Sequence, residues 1–285
     1  MKYRNSEQTT ASDTELVGIE AKSHDQIYTD SYPFWGDSLR IDPQRVERIF
    51  ADCYKPKTIT HGRRKRRLLE FLDIDSIDGK TVLDVGCGNG SLSVYMAMHG
   101  AESFGFDISV AGVQRARHIA EVNDVSDRTA FCIQSASNMA YRSEQFDIVL
   151  CSNVLHHIWK YDGIQDELYR VLADGGSLVF DEGIRSNPVY RGCRDAYKQV
   201  AGSESELGDV DLEYTDLVDY GEMFADTRID CFTLASGVKN LLGDDFDNPR
   251  HIRAMFACTR ALDTLLERFD VFDPYCLEVV GRFEK

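Results

Sequence analysis

The stretch TVLDVGCGNG, residues 81–90, constrains this chain more than any other. Five β-forming residues run directly into glycines at alternate positions, Gly86, Gly88 and Gly90, and a helix-like run, SLSVYMAM, follows. A strand, a glycine-rich turn and a helix at the carboxyl edge of a parallel sheet aim backbone N–H groups outward. Such an edge favours an anionic group on a ligand. In this reading Gly86 and Gly88 permit the turn and a close approach of the ligand, and Gly90 opens the helix.

From about residue 80 the same alternation repeats. Strands are predicted at 81–85, 102–107, 129–134, 146–152 and 176–183, with helix-like stretches between them. The runs are short, apolar and rich in β-branched and aromatic residues, and each ends at glycine or a polar residue. In YDGIQDELYRVLADGG, Ile164, Leu168, Val171 and Leu172 recur at helical spacing, and ADGG supplies a stop. Repeated strand–helix–strand units predict a doubly wound α/β sheet covered by helices on both faces. Two later strands are predicted at 228–235 and 275–283, with a long helix over 248–269 between them. Residues 1–55 precede the pattern as an N-terminal cap or lid segment, leaving 56–285 as the main domain. The segment 184–215 interrupts the alternation after a strand's carboxyl end, where a lid or substrate-binding element is expected.

The formal net charge of -16 opposes a nucleic-acid surface. No apolar run is long enough to span a bilayer, and the N-terminus lacks a secretory apolar region, so a soluble cytoplasmic protein is expected. The eight cysteines and seven histidines are dispersed without metal-ligand spacing, so no metal site is predicted. The pattern does not fix an oligomeric state.

The flanks of the glycine turn select the ligand. A dinucleotide fingerprint wants a small packing residue where this chain has Ser91. Asp84, two residues before Gly86, would repel a pyrophosphate and attract an ammonium group. Asp107, at the end of the second strand, stands about twenty residues past the turn, where ribose hydroxyls are gripped. A ribose, a carboxylate and a cation occur together in S-adenosylmethionine.

VLDVGCGNG, then FGFDIS, FDIVLCSNVLHHI and LYRVLADGGSLVF, resemble in strict order the motif series of class I S-adenosylmethionine-dependent methyltransferases. The resemblance covers roughly residues 56–183 and implies a seven-stranded, mostly parallel sheet whose last strand, YCLEVVGRF, is antiparallel beside RIDCFTLA. It also implies that Asp84, Gly86 and Gly88 hold the methionyl end, that Asp107 binds the ribose and that Ile108 packs on adenine. Asn153 is implied to line the path beside the sulfonium. Where the family commonly has Asp then Ala after the third strand, this chain has Ser135 and Ala136, so adenine recognition there is expected to rest on weaker or backbone contacts.

Methyl transfer depends mainly on alignment, and a base is needed only where the acceptor must lose a proton. His156 is the candidate base facing the pocket, while His157 reads as a residue packed beneath the loop. Asp181 and Glu182 stand where such sheets place reactive groups; a helix cap or a salt bridge to arginines of the following segment explains them as well. Aromatic faces attract a sulfonium, and Tyr28, Tyr32, Phe34, Trp35, Tyr190 and Tyr197 are candidates for a lid, Tyr190 foremost. In the basic cluster HGRRKRR, Arg64 and Lys65 share a helix face with Leu68, Leu69 and Leu72, and Arg64 is the preferred partner for the carboxylate of S-adenosylmethionine.

The leading expectation is methyl transfer to a small molecule held in an enclosed pocket. A second is intramolecular cyclisation of S-adenosylmethionine to azetidine-2-carboxylate and methylthioadenosine, with Asn153 and Tyr190 serving the methionyl chain and its proton. A third is a subunit that binds the ligand without catalysis.

Overall fold

A computed structural model of the chain describes residues 13–29, 38–46, 59–137, 139–192, 210–235, 258–259 and 261–285. Tyr32, Phe34, Trp35, Tyr197 and half of the helix expected over 248–269 lie outside them. The strands are β1 (Thr81–Val85), β2 (Glu102–Asp107), β3 (Thr129–Ile133), β4 (Phe146–Ser152), β5 (Leu172–Gly183), β6 (Asp226–Phe232) and β7 (Glu278–Glu284). They form one seven-stranded sheet in the order β3-β2-β1-β4-β5-β7-β6. Pairings from β3 through β5 are parallel, and β7 runs antiparallel to both β5 and β6.

Around the sheet lie α1 (Asp13–Tyr28), α2 (Ile59–Phe71), α3 (Ser91–Met98), α4 (Val110–Val122), α5 (Leu155–Ile158), α6 (Ile164–Val171) and α7 (Tyr214–Gly221). The strands alternate between two apolar faces, as the two-residue period of a strand requires. Val82, Ile148, Leu150, Val179 and Val280 meet Leu68, Leu72 and Met96 on one side. Leu83, Val85, Val149, Phe180 and Phe283 meet Leu168, Val171 and Leu217 on the other. Each fully buried side chain of this kind contributes about 1.5–3 kcal/mol, so the central strands are rigid supports for whatever their carboxyl ends carry.

One boundary differs from the sequence reading. ADGG is not a helix stop beyond Leu172; the helix ends at Val171, and Leu172 already begins β5. Gly175 takes a φ of 74° within that strand, and a Cβ on Gly176 would lie 2.9 Å from the carbonyl oxygen of Asp147. The glycines therefore allow an irregular β5 to stay against β4, where the register shifts between Phe146 and Ile148.

Among the described residues, no helix is long and apolar enough to cross a membrane.

Candidate functional site

The carboxyl ends of β1, β2 and β4 open into a cavity of about 380 Å³. Its floor is the glycine turn. Gly88 has φ 54° and Gly90 φ 70°, backbone that a side chain disfavours. A Cβ on Gly90 would lie 2.6 Å from the Cβ of Ala116, so this glycine also lets α3 pack against α4. The turn is tied to β2: the Cys87 amide donates to the Phe106 carbonyl at 2.9 Å, and the Gly88 amide to Asp107 Oδ2 at 2.8 Å. Asp107 Oδ1 accepts from the Ser109 amide, also at 2.8 Å. One carboxylate thus joins the turn to the start of α4, and burial raises its pKa against the pull of those two N–H groups.

Asp84 sits beneath the turn, 3% exposed, accepting from Ser93 Oγ at 2.5 Å. Burial pushes its pKa up to about 7. A buried carboxyl in that range gains most from a cationic ligand, because a neighbouring positive charge restores the ionised form.

Asp84, Gly86, Gly88, Asp107, Ile108, Ser135, Ala136 and Asn153 all line this one cavity. Asn153 adopts φ 51°, left-handed backbone that asparagine tolerates better than most residues. Its amide donates to the Asp181 carbonyl at 2.9 Å, holding the turn after β4 against β5.

Three residues singled out from the sequence stand elsewhere. Arg64 is not in the cavity lining; its guanidinium meets Asp181 at 3.0 Å, Glu278 at 3.4 Å and Asn153 Oδ1 at 2.8 Å. Lys65, its neighbour, is the cation that reaches the cavity, with Nζ 2.7 Å from Ser152 Oγ and 2.8 Å from Asp181 Oδ2. The ion pair expected of Asp181 is therefore present, but its partners come from α2 and not from the segment after β5. Burial alone would raise the Asp181 pKa, and Lys65 and Arg64 hold it below the usual carboxylate value.

The two histidines lie the other way round from the sequence expectation. His156 Nδ1 lies 2.8 Å from Glu182 Oε1, and His157 is the one that lines the cavity. Glu182 is 1% exposed, and its Oε2 accepts from the Leu155 amide at 2.9 Å, capping α5. Tyr190 is the third. It lies outside the lining, on a helical stretch over 188–192 whose start is fixed by Asn187 Oδ1 accepting from the Tyr190 amide at 3.1 Å. Asn153 and Tyr190, paired in the cyclisation expectation, do not share the cavity.

The upper wall comes from α1, which contributes Glu20, His24, Ile27 and Tyr28. Glu20, His24 and Tyr28 recur every four residues and so share one helix face. Asp25 fastens this helix: its Oδ1 accepts from Ser109 Oγ at 2.6 Å and from the Ala111 amide at 2.9 Å. Glu20 pairs with Lys160, just after α5. Tyr28 crosses the glycine turn so closely that a Cβ on Gly88 would lie 2.7 Å from its hydroxyl. Of these, only Tyr28 was marked in the sequence, by its aromatic ring; no motif marked Glu20 or His24. Gln134, after β3, also lines the cavity, and its Nε2 is buried without an acceptor among the described residues.

The family model described as "Methyltransferase domain" matches residues 76–214. The ubiquinone biosynthesis O-methyltransferase of Psychrobacter cryohalolentis is 31% identical over 153 residues, 48% of this chain and 59% of the relative. Norajmaline N-methyltransferase of Rauvolfia serpentina is 30% identical over 114 residues, 40% of this chain and 39% of its own length. The chain thus spans well under two thirds of these relatives. The magnesium protoporphyrin IX methyltransferase of Synechocystis PCC 6803 has the same fold, with a TM-score of 0.54 over 96% of this chain and all of that one, at 15% identity. With its glycine turn, its two acids and its β5-β7-β6 edge, the chain carries a methyltransferase domain match over residues 76–214 and is similar to the class I S-adenosylmethionine-dependent methyltransferases.

Proposed function

We propose that the chain binds S-adenosylmethionine in this cavity and transfers its methyl group to a small-molecule acceptor. The observation that carries the reading is the convergence of Asp84, the glycine turn and Asp107 on one cavity. The donor set fits the ligand: a carboxylate for the ammonium, a buried lysine for the carboxylate, and Asp107 with oxygen lone pairs left for ribose hydroxyls.

S-adenosylmethionine supplies a methyl group on a sulfonium, which any well-aligned nucleophile can take by in-line displacement. The residues of this chain supply the alignment, which is worth roughly 7–11 kcal/mol when reacting atoms are held at attack distance. Asp84 and Lys65 hold the two charged ends of the methionyl group, Asn153 stands beside its path, and Ile108 and Ala136 enclose the adenine with Gln134 at its edge. Helix α1, from the N-terminal segment, covers part of the site. The acidic surface and the enclosed lining favour a small acceptor over nucleic acid.

Calorimetric titration of the purified chain with S-adenosylmethionine tests the binding. Asp107→Asn is expected to weaken it at least tenfold, and unchanged affinity would refute the ribose assignment. Mass spectrometry of nucleoside products then separates the chemistries: S-adenosylhomocysteine that forms only with an acceptor supports transfer, whereas methylthioadenosine from the ligand alone refutes it.

A further inference from the structure

We propose that Asn153 is a fixed hydrogen-bond donor to the carboxylate of S-adenosylmethionine, and that Arg64 reaches that carboxylate only through it, as a positioning residue. The inference rests on the ligand reading above and deepens it. A guanidinium carries N–H donors and accepts nothing, so the Asn153 atom 2.8 Å from Arg64 Nη2 must be the amide oxygen. The NH2 group of the same amide is then turned away from Arg64. It meets no acceptor among the described residues, and Asn153 borders the cavity.

Arg64 is held too tightly to let the amide turn over. It is buried, ion-paired with Asp181 at 3.0 Å and with Glu278 at 3.4 Å. Glu278 is braced in turn by Thr233 Oγ1, which donates to its Oε2 at 2.6 Å. Thr233 is buried just after β6 with φ 64°, a left-handed conformation that a β-branched residue adopts only under constraint. Asn153, at the far end, is left-handed as well, at φ 51°. Two non-glycine residues in strained backbone thus close the ends of one polar chain, Thr233–Glu278–Arg64–Asn153. Strain of this kind persists where surrounding contacts over-determine it.

The surroundings name the ligand group. Asp181 sets two donors side by side: its carbonyl accepts from the Asn153 amide at 2.9 Å, and its Oδ2 lies 2.8 Å from Lys65 Nζ. Lys65 also donates to the hydroxyl of Ser152, the residue before Asn153, at 2.7 Å. An ammonium and a carboxamide NH2 therefore border the cavity from one corner. Two donors there oppose the ammonium of the methionyl group, which suits Asp84 instead. A carboxylate has two oxygens and can accept from both donors at once. Lys65 supplies the charge and Asn153 the direction.

Calorimetric titration of the chain with S-adenosylhomocysteine, and with its decarboxylated analogue, tests the assignment. Asn153→Gly removes the donor and suits the left-handed backbone, so its thermal midpoint should not fall. It is expected to weaken S-adenosylhomocysteine about tenfold or more, the worth of a hydrogen bond to a charged group, and the analogue by less than about threefold. Asn153→Asp keeps an oxygen for Arg64 and tolerates the same backbone, yet turns the donor into an acceptor. Its loss should be larger and again confined to the ligand with the carboxylate. Arg64→Lys keeps a charge for Asp181 but loses the fork that holds Asn153. It should weaken S-adenosylhomocysteine in the wild-type background and add nothing in Asn153→Gly. Glu278→Gln, which loosens Arg64 without removing it, takes its place with the same outcomes if Arg64→Lys does not fold.

Unchanged affinity in Asn153→Gly, or an equal loss on both ligands, overturns the donor and leaves the ligand reading standing. Tighter binding by Asn153→Asp overturns it too, since an acid there would be meeting the ammonium. Additive losses in the double variant overturn the positioning role, because Arg64 would then act through Asp181. Failure of the wild type to bind S-adenosylhomocysteine removes the underlying reading as well.

Discussion

Lys65 Nζ lies 2.8 Å from Asp181 Oδ2, and both groups are almost wholly buried, at 3% and 0% exposure. The aspartate also meets Arg64 at 3.0 Å, so one carboxylate at the end of β5 anchors two consecutive cations of α2. Lys65 is bent toward the cavity and Arg64 toward Glu278 and Asn153. The pairing fixes which cation borders the cavity.

Asp181→Ala is expected to destabilise the fold by about 3–5 kcal/mol, because it removes the carboxylate paired with buried Lys65 and leaves Arg64 only Glu278. Urea denaturation should show the loss as a lowered midpoint at unchanged slope. Lys65→Met removes a charge from the cavity yet leaves Arg64 to neutralise Asp181. It should reduce S-adenosylmethionine affinity tenfold or more with a smaller loss of stability; the reverse ranking of the two variants would refute the division of labour.

Asp84 makes ligand binding depend on pH. Its folded pKa, pushed up to about 7 by burial, lies above the ordinary value of 3.8. The free protein therefore binds this proton more tightly than the unfolded chain does. That contribution to stability is complete below the ordinary pKa and is lost as pH rises through the folded one. A cationic ligand prefers the ionised form, so S-adenosylmethionine affinity should rise from pH 6 to 8 with proton release. Calorimetry in buffers of different ionisation enthalpy measures the release, and Asp84→Asn should abolish both the slope and the proton.

Asp25 holds helix α1 to the start of α4 through Ser109 and Ala111. Asp25→Ala should leave the thermal midpoint within a few degrees, since the sheet core is untouched, while speeding amide exchange over residues 13–29. Ligand dissociation should quicken in step. Exchange unchanged in that segment would show that packing alone keeps the helix in place.

Gln134 carries a buried amide nitrogen that has no acceptor among the described residues. Leaving such a donor unmatched costs about 1–3 kcal/mol, which an adenine ring nitrogen would recover. Gln134→Leu should weaken S-adenosylhomocysteine binding about tenfold and leave the free protein no less stable. Equal affinity would place the adenine elsewhere.

Much of this was legible from residue order. The strand–glycine–helix unit at 81–98, the alternation that follows it and the reversed edge strand are local patterns, set by two-residue and helical periodicities and by glycine's backbone freedom. The residues of the turn, with Asp107, Ile108, Ser135, Ala136 and Asn153, follow from their places at strand ends, because a strand's carboxyl end is the same place in every parallel sheet. Side-chain direction was beyond that reach. Arg64 and Lys65 are adjacent, as are His156 and His157, so periodicity cannot say which member of either pair turns inward. Asp181 and Glu182 make that choice, and they arrive from β5, more than a hundred residues after α2 in the first case. Helix α1 carries no motif, and it borders the cavity only because Asp25 and Glu20 find partners far along the chain. The sequence by itself determined the sheet and the glycine turn, whose causes are local; tertiary structure decided which cation and which imidazole border the cavity and where helix α1 lies, whose causes are pairings between distant segments.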